Sequence, residues 1–323
     1  MMKTFVRFLC LTVSVILCAS CIEPDAQSFS FAPPEGKTLL FIGQDKATID
    51  TYIKSTGHNP VGLMVYTSVQ EAHGLWDAAD YGSGVMHAQA LIEEYPQSAI
   101  QIGLYMVGAL QGILKGEFDS NLDKIGTWIK TSDHPVYVRI GYEFDLPQNG
   151  YEPVLYKKAY RYIVDRWRSQ GVRASYVWHS YGYLNIEQPM MNWYPGDDYV
   201  DWFGISFFSA FNDGNMKWMA NRAKEHNKPL MLAEASPFGT GTQKGELSWK
   251  MWCKGFFETI DKHNMAAACY INSNWDVMPM WKGQGWGDSR IEANSIIKER
   301  WLKEIARERF IRSDKGLFKA LNY

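Results

Sequence analysis

Short apolar runs rich in β-branched and aromatic residues recur eight times along the chain. They occupy residues 38–44, 61–68, 99–108, 135–144, 174–181, 201–208, 229–236 and 266–275. Most of these runs are nearly continuous rather than strictly alternating, which is typical of parallel strands that are buried on both faces. The pattern therefore predicts eight parallel strands.

Segments with apolar residues at helical spacing separate these runs. They occupy residues 45–57, 119–132, 154–171, 216–227 and 245–264. Strands that alternate with helices favour βαβ units, and eight such units in about 280 residues match the size of one (β/α)8 TIM barrel of the α/β class. A doubly wound sheet is the alternative, but no GxGxxG sequence follows a predicted strand.

The first residues of the chain have the pattern of a bacterial export signal. Lys3 and Arg7 precede the apolar run 8–20, so residues 1–20 are predicted to be a signal peptide. The run ends at Cys21 in a sequence that resembles a lipobox, although Cys18 replaces its usual leucine. We expect Cys21 to be lipidated and the protein to be anchored in the cell envelope, facing the periplasm or the surface. An ordinary secretory signal and a secreted protein are the alternative.

The remaining chain divides into two predicted parts. Residues 21–36, rich in Pro, Ser and acidic side chains, are predicted to be a flexible tether, and residues 37–323 the barrel. Of the five cysteines, only Cys253 and Cys269 lie in the barrel. Two buried thiols are favoured there over a disulfide, which an oxidising compartment would also allow.

Charge and aromatic content limit the classes of ligand. The chain has 33 Lys and Arg against 35 Asp and Glu, and the net charge of −2 excludes a basic surface for nucleic acid. The chain also has 13 Trp, 18 Tyr and 16 Phe. Because Trp and Tyr carry a polar group on a flat ring, such a surplus either lines a groove for sugar rings or enlarges the core.

Polar side chains at the C-terminal ends of barrel strands are the first functional candidates, because active sites of such barrels lie at that end. The strand-end candidates are Gln44, Tyr105, Glu143, Asp145, His179, Ser206, Glu234, Trp275 and Asp276. Glu143 and Glu234 stand out, since each lies in an otherwise apolar run where an unpaired carboxylate is costly to bury. Arg139, on the same run as Glu143, is a candidate partner.

Two carboxylates that face each other across a sugar site are the minimum for glycoside hydrolysis. One protonates the leaving oxygen, and the other attacks the anomeric carbon or activates water. The fourth and seventh strands lie on opposite sides of an eight-stranded ring, so the side chains of Glu143 and Glu234 can meet across its mouth. The pair therefore indicates a glycosidase.

Several segments resemble glycoside hydrolase family 26, a family of retaining (β/α)8 enzymes. YPGDDYVDWFGIS at 194–206 is similar to the family's segment leading into strand six. VRIGYEFD at 138–145 resembles its acid/base strand, and KPLMLAEAS at 228–236 resembles its nucleophile strand. The resemblance extends over about residues 38–305 and implies a glycoside hydrolase with double displacement.

The resemblance also implies roles for residues and a range of substrates. Glu143 corresponds to the acid/base and Glu234 to the nucleophile. Tyr142, Asp145 and Phe208 replace the family's usual His, Asn and Tyr, which puts the most common substrate in doubt. The resemblance makes endo action on β-1,4-mannan the first expectation, followed by β-1,3-xylan or mixed-linkage β-glucan.

A wider set of residues is predicted to contact the sugar chain. Trp275 follows the eighth strand and could be a sugar platform or part of the core, while Trp76 and Trp281 lie in loops and could instead cap the barrel. The predicted substrate-binding residues are Arg139, Tyr142, Asp145, Trp178, His179, Phe208, Trp275, Trp76 and Trp281.

A non-catalytic glycan-binding lipoprotein on a glycosidase scaffold is the alternative function. The replacements at Tyr142 and Phe208 favour it, but the retention of both Glu143 and Glu234 argues against it. The predicted partner in either case is a polysaccharide or oligosaccharide. No cofactor and no metal are expected, the membrane is contacted only through the lipid, and the protein is expected to be a monomer.

Overall fold

A computed structural model of the protein describes residues 30–183, 190–209 and 213–323. The predicted signal peptide, the lipidation candidate Cys21 and residues 22–29 of the predicted tether lie outside the described residues. No helix in the described part of the chain is both long enough and apolar enough to cross a membrane.

Eight parallel strands form a closed barrel, which confirms the predicted fold. The strands are β1 Leu39–Gly43, β2 Gly62–Ser68, β3 Ala99–Tyr105, β4 Val136–Ile140, β5 Ser175–Ser180, β6 Trp202–Phe207, β7 Leu230–Ala235 and β8 Ala267–Ile271. Each strand pairs with its neighbours in sequence, and β8 closes the ring on β1. A short antiparallel hairpin, Ala79–Asp80 with Val85–Met86, lies in the loop after β2.

Helices surround the barrel, as the helical spacing predicts. They are α1 Lys46–Thr56, α2 Ala88–Glu94, α3 Leu110–Leu114, α4 Asp119–Ser132, α5 Pro153–Ser169, α6 Asp213–Glu225, α7 Glu246–Ser248, α8 Lys254–Lys262, α9 Ser295–Ile305 and α10 Leu317–Ala320. A π-helical turn, Trp249–Cys253, joins α7 to α8. Short 3-10 turns cover Pro147–Asn149, Met190–Trp193, Trp275–Val277 and Ile291–Ala293.

Local sequence signals explain where the helices begin and end. The side chain of Asp45 accepts a hydrogen bond from the Thr48 amide and so caps α1, which ends at Gly57 in the left-handed conformation. Pro153 begins α5, and the Glu152 carboxylate accepts from two amides of its first turn. These caps fix the ends of helices that pack on the barrel.

Alternation along each strand divides the core into two layers. On β4, Val136, Val138 and Ile140 pack against the helices, whereas Tyr137 and Arg139 face the barrel interior. This alternation is the period-two pattern of a strand. Cys253 lies in the outer layer and Cys269 in the inner one, and both are free, buried thiols, as the sequence favours.

The N-terminal end of the barrel is closed by residues that the sequence assigns to the tether. Phe31 is buried and packs edge-on against Tyr137, whose hydroxyl donates to the Phe31 carbonyl at 2.6 Å. Trp202 and Ser175 both donate to the carbonyl of Ser30. Ser30 and Phe31, at the described end of the predicted tether, therefore pack under the barrel, where Phe31 fills the opening between the strand ends.

Candidate active site

A bulge in β7 turns the Glu234 side chain into the barrel. Opposite β6, Ile205 pairs with Leu232 but the next residue, Ser206, pairs with Glu234, so β7 contains one extra residue. The same shift occurs against β8. Without the extra residue Glu234 would share the outer face with Leu232, so the bulge aims its carboxylate at the interior.

Glu143 reaches the mouth because the chain leaves the sheet before it. β4 ends at Ile140, four residues before the end of the predicted run 135–144 and three residues before Glu143. Gly141 and Glu143 then adopt positive φ angles of 55° and 54°. A left-handed backbone is unfavourable for a residue with a side chain and is concentrated at functional sites. The irregular turn buries the Glu143 side chain to 8% exposure.

Arg139 is the buried cation that pairs with Glu234. Its guanidinium is fully buried, forms an ion pair with the Glu234 carboxylate, and lies over the rings of Tyr66 and Tyr142 at 5.0 and 5.1 Å. A β-carbon at Gly103, opposite Arg139 on β3, would come within 2.9 Å of the guanidinium. Glycine at this position therefore leaves the space for the charge. The ion pair of Arg139 is with Glu234, one of the two carboxylates for which the sequence offers it as a partner.

Hydrogen bonds join the two carboxylates through three buried side chains. Arg139 contacts Nδ1 of His179 at 3.2 Å, and Nε2 of His179 lies 2.9 Å from the Ser206 hydroxyl. That hydroxyl donates to Oε1 of Glu143 at 2.7 Å. Arg139 also donates to Glu234, so one continuous network holds both carboxylates.

Burial and neighbouring charges shift the pKa values of Glu143 and His179 in opposite directions. Burial, together with the charge of Glu234, raises the pKa of Glu143 well above its usual value. Burial and the charge of Arg139 lower the pKa of His179 well below its usual value. A carboxyl that keeps its proton beside a carboxylate held by a guanidinium is the combination that acid-assisted displacement requires.

Aromatic rings form a wall on one side of the mouth. The Trp275, Trp281 and Trp286 rings lie 5.1–5.3 Å apart, centroid to centroid. Ser236 and Ser289 each accept a hydrogen bond from the indole N–H of Trp275. Trp275 is itself only 3% exposed, while the other two are partly exposed.

The wall continues from Trp286 toward the ends of β5 and β6. Phe208 packs against Trp286 at 5.1 Å and against Tyr181 at 5.7 Å. Phe208 and Trp281 therefore lie at the mouth, and no ring in this wall bonds to Glu234. Trp76 is 42% exposed in the loop after β2, where it can contact a ligand.

Three predicted substrate contacts have other roles. Trp178 is fully buried on the outer face of β5, stacked on Phe144 at 4.4 Å, because it alternates with the inward-facing His179. His179 is also fully buried, beneath the carboxylates rather than in the cleft. Asp145 accepts hydrogen bonds from Ser180 and from two backbone amides of the following loop, so it orders that loop instead of offering free oxygens to a sugar.

Two further residues of the site, Tyr66 and Ser206, are not predicted from the sequence to contact the substrate or to join the hydrogen-bond network. Tyr66 faces inward near the end of β2 and packs at 5.5 Å against Tyr142. For Ser206, the sequence predicts only a position at the end of a strand. Met64 and Tyr66 alternate with outward-facing residues on β2, and this alternation is a signal that could identify Tyr66. The hydrogen bond from Ser206 to Glu143 depends on the turn that carries Glu143, so the sequence pattern does not predict it. Among the described residues, no group of three or more His, Cys, Asp or Glu side chains could hold a metal ion.

An eight-stranded parallel barrel whose mouth carries two carboxylates, a buried guanidinium and an aromatic wall defines a (β/α)8 glycoside hydrolase. A profile of glycosyl hydrolase family 26 matches residues 122–262. A β-1,3-xylanase from a Vibrio species is 31% identical, over 96% of this chain and 74% of that protein. The chain belongs to glycoside hydrolase family 26 and is a retaining β-glycoside hydrolase, as the sequence resemblance indicates.

Two other similar proteins agree with this assignment. A β-1,3-xylanase from an Alcaligenes species is 29% identical over 96% of this chain and 72% of that protein. A β-mannanase of the family from Bacteroides ovatus has the same fold with a TM-score of 0.62 and 14% identity, over 87% of this chain and 92% of that structure.

Proposed function

We propose that Glu143 is the acid/base and Glu234 the nucleophile of a double displacement. The observation that carries this assignment is the asymmetry of the pair. Glu234 forms an ion pair with the buried Arg139 cation, whereas the Glu143 carboxyl forms no ion pair within the described residues and accepts a hydrogen bond from the neutral Ser206 hydroxyl. The cation stabilises the charge on Glu234, whereas burial and the nearby charge of Glu234 favour the protonated form of Glu143.

Both steps follow from these two states. In the first, an oxygen of Glu234 attacks the anomeric carbon, the glycosidic C–O bond breaks, and the Glu143 proton passes to the leaving oxygen. In the second, the Glu143 carboxylate removes a proton from water, whose oxygen attacks the same carbon and displaces Glu234. Two inversions return the original anomeric configuration.

For the substrate, we propose internal cleavage of β-1,3-xylan. The support is the similarity to two β-1,3-xylanases over nearly the whole chain, at 31% and 29% identity. The mannanase of the same fold shares 14% identity. The replaced residues Tyr142 and Phe208 lie at the mouth, where they would contact the reacting sugar. Linear β-1,3-xylan is therefore favoured over the β-1,4-mannan that the sequence resemblance puts first.

The experiment is hydrolysis of β-1,3-xylan, β-1,4-mannan, β-1,4-xylan and mixed-linkage β-glucan by the purified protein. Chromatography of the products separates internal cleavage from release of single units, and NMR gives the anomer formed first. We expect oligosaccharides from β-1,3-xylan with retained configuration. Hydrolysis of another glycan alone would overturn the substrate, and an inverted product would overturn the mechanism.

Azide separates the two carboxylate roles. With an activated aryl glycoside, azide should rescue Glu143→Ala as the β-glycosyl azide and Glu234→Ala as the α-glycosyl azide. Glu258→Ala, which removes an exposed carboxylate on α8, is the matched control and should keep full activity. The reverse pattern of azide products would exchange the two roles.

Glycan binding without hydrolysis is not favoured for this chain. Its test is the same glycan panel, in which retention by every variant with no product from the wild type would support it. The network of Arg139, His179 and Ser206 argues against it, because a binding protein gains nothing from holding one buried carboxyl charged and another protonated.

We also propose that the protein is a monomer anchored to the cell envelope through Cys21, with the barrel mouth facing away from the membrane. Ser30 lies at the N-terminal ends of β5 and β6, opposite the mouth, and residues 21–29 span at most roughly 30 Å. Cys21→Ser should release the protein from the membrane fraction. An unchanged membrane fraction would overturn the anchor, and size-exclusion chromatography tests the monomer.

A further inference from the structure

Two buried residues beneath the carboxylates have no direct part in double displacement. His179 is 0% and Ser206 2% exposed, so neither can touch a sugar in the cleft. They lie on neighbouring strands, β5 and β6, and both face the barrel interior. The imidazole of His179 and the hydroxyl of Ser206 must therefore have a role other than contact with the substrate.

The direction of each hydrogen bond between them is fixed by chemistry. Arginine has donors but no acceptor, so at the 3.2 Å contact with Arg139 the Nδ1 atom of His179 must accept. The imidazole proton is then on Nε2, which donates to the Ser206 oxygen at 2.9 Å. The single Ser206 proton is left to donate to Oε1 of Glu143 at 2.7 Å.

We propose that His179 and Ser206 form a positioning relay that fixes one oxygen of Glu143, Oε1, as the acceptor and keeps the transferable proton on the other, Oε2. The inference rests on the proposed acid role of Glu143. Every donor in the relay points toward Glu143, and the chain begins at a group that cannot reverse its direction. Neither residue exchanges a proton with the substrate, so both are positioning residues.

The relay also accounts for the histidine being neutral. A second proton on His179 would place Nδ1–H against the N–H of Arg139, and the low pKa of the buried imidazole agrees with its exclusion. The Ser206 hydroxyl stabilises the charged form of Glu143 and so opposes burial and the charge of Glu234, which raise the pKa of that carboxyl. Glu143 can therefore still lose its proton in the first step and act as a base in the second.

Ser206→Ala tests the relay in two readouts that a loss of packing alone would not move. Because a donor to the Glu143 carboxylate is removed, the alkaline limb of kcat/KM should move to higher pH. With aryl glycosides of the oligosaccharide that the wild type releases, hydrolysis of the phenyl glycoside should fall by roughly tenfold. Hydrolysis of the 2,4-dinitrophenyl glycoside, whose leaving group needs no proton, should be nearly unchanged.

Two further variants test whether both residues act together. Ser206→Thr retains the hydroxyl and should restore the wild-type pH limb. His179→Leu should move that limb in the same direction as Ser206→Ala, and the double variant should behave like Ser206→Ala alone, because the residues act in series. Additive effects of the two substitutions would overturn the relay.

Ser98→Ala is the matched control, since it removes another buried hydroxyl, bonded to the Pro60 carbonyl far from the mouth. Its pH profile should equal that of the wild type. A wild-type profile for Ser206→Ala would overturn the relay but leave the acid role intact, provided that Glu143→Ala still discriminates the phenyl from the dinitrophenyl glycoside. Loss of that discrimination would instead overturn the proposed role of Glu143.

Discussion

The two ends of the barrel interior are built from the same strands but contain opposite chemistry. At the N-terminal end, the rings of Phe31 and Trp202 each pack against that of Tyr137, with centroids 6.1 and 5.7 Å apart. Two residues farther along β4 from Tyr137, the inward position is Arg139, which is fully buried with the carboxylate of Glu234. One step of the strand alternation therefore separates an aromatic core from a buried ionic network.

The contrast shows where stability and activity are located. Burial of large aromatic side chains stabilises the fold, whereas buried ions contribute little net stability because their desolvation offsets their attraction. The β7 bulge and the left-handed backbone of Glu143 lie at the ionic end. We therefore expect substitutions at the N-terminal end of the barrel to change stability alone. Substitutions at the mouth should change activity, and they can either raise or lower stability.

Arg139→Met should have the largest effect. It leaves the buried Glu234 carboxylate without its cation, and breaking such a pair costs about 3–5 kcal/mol of unfolding free energy. Activity should fall by roughly a thousandfold or more. Denaturant unfolding and kcat/KM measure the two losses.

The matched control is the double variant Arg139→Met with Glu234→Leu, in which no unpaired charge is buried. It should regain most of the stability while staying inactive. If the double variant is as unstable as the single one, the loss comes from packing and not from the isolated charge.

Phe31→Ala should have the next largest effect and act on stability only. Phe31 is 2% exposed, and truncation of a buried phenylalanine costs about 3–5 kcal/mol. The lower thermal midpoint should leave kcat/KM at 25 °C within about twofold of the wild type, since the barrel length separates Phe31 from the carboxylates. A large change in kcat/KM would show that the two ends are coupled.

Glu143→Gln and Glu234→Gln should change stability in opposite directions, although both should abolish hydrolysis of the polysaccharide. The pKa of Glu143 is raised in the folded protein, so the folded state holds a proton that the unfolded state releases, and stability falls as pH rises through this window. Glutamine has no proton to release, so Glu143→Gln removes this loss of stability. At pH 7 the thermal midpoint of Glu143→Gln should therefore exceed that of the wild type.

The pH dependence of the thermal midpoints tests the direction of each stability change. The advantage of Glu143→Gln should shrink as the pH falls below the usual value of 4.5 for a glutamate, because the wild-type side chain is then protonated in both states. Glu234→Gln should be less stable than the wild type at pH 7, since Arg139 loses its counter-ion. Equal midpoints for the two variants would contradict the asymmetry of the pair.

The same contrast explains what the sequence could predict. Apolar runs and their spacing were sufficient for the eight strands, and the strand ends identified Glu143 and Glu234. The alternation of Val177, Trp178 and His179 also contained enough information to place Trp178 outside the barrel. That alternation is hard to recognise in a strand that is an almost continuous apolar run.

Other features depend on three-dimensional geometry that the sequence pattern does not contain. Counting by twos along KPLMLAEAS places Glu234 on the outer face with Leu230 and Leu232, and only the bulge turns it inward. Likewise, Phe31 lies in a segment of tether-like composition, and its burial depends on an opening between strand ends far along the chain. The local sequence pattern predicts helices and strands. A bulge such as that in β7 and a long-range contact such as that of Phe31 depend on how the whole chain packs.

The smallest expected effect distinguishes a surface ring from a core ring. Trp76 is 42% exposed at the mouth and Trp178 is 0% exposed behind β5. If Trp76 stacks on the sugar chain, Trp76→Ala should raise KM for the polymer by about threefold to tenfold and leave the thermal midpoint unchanged. Trp178→Phe should lower the midpoint, because it leaves a cavity against Phe144, and leave KM unchanged. A KM effect from Trp178→Phe with none from Trp76→Ala would contradict the assignment of Trp178 to the core and of Trp76 to the sugar chain.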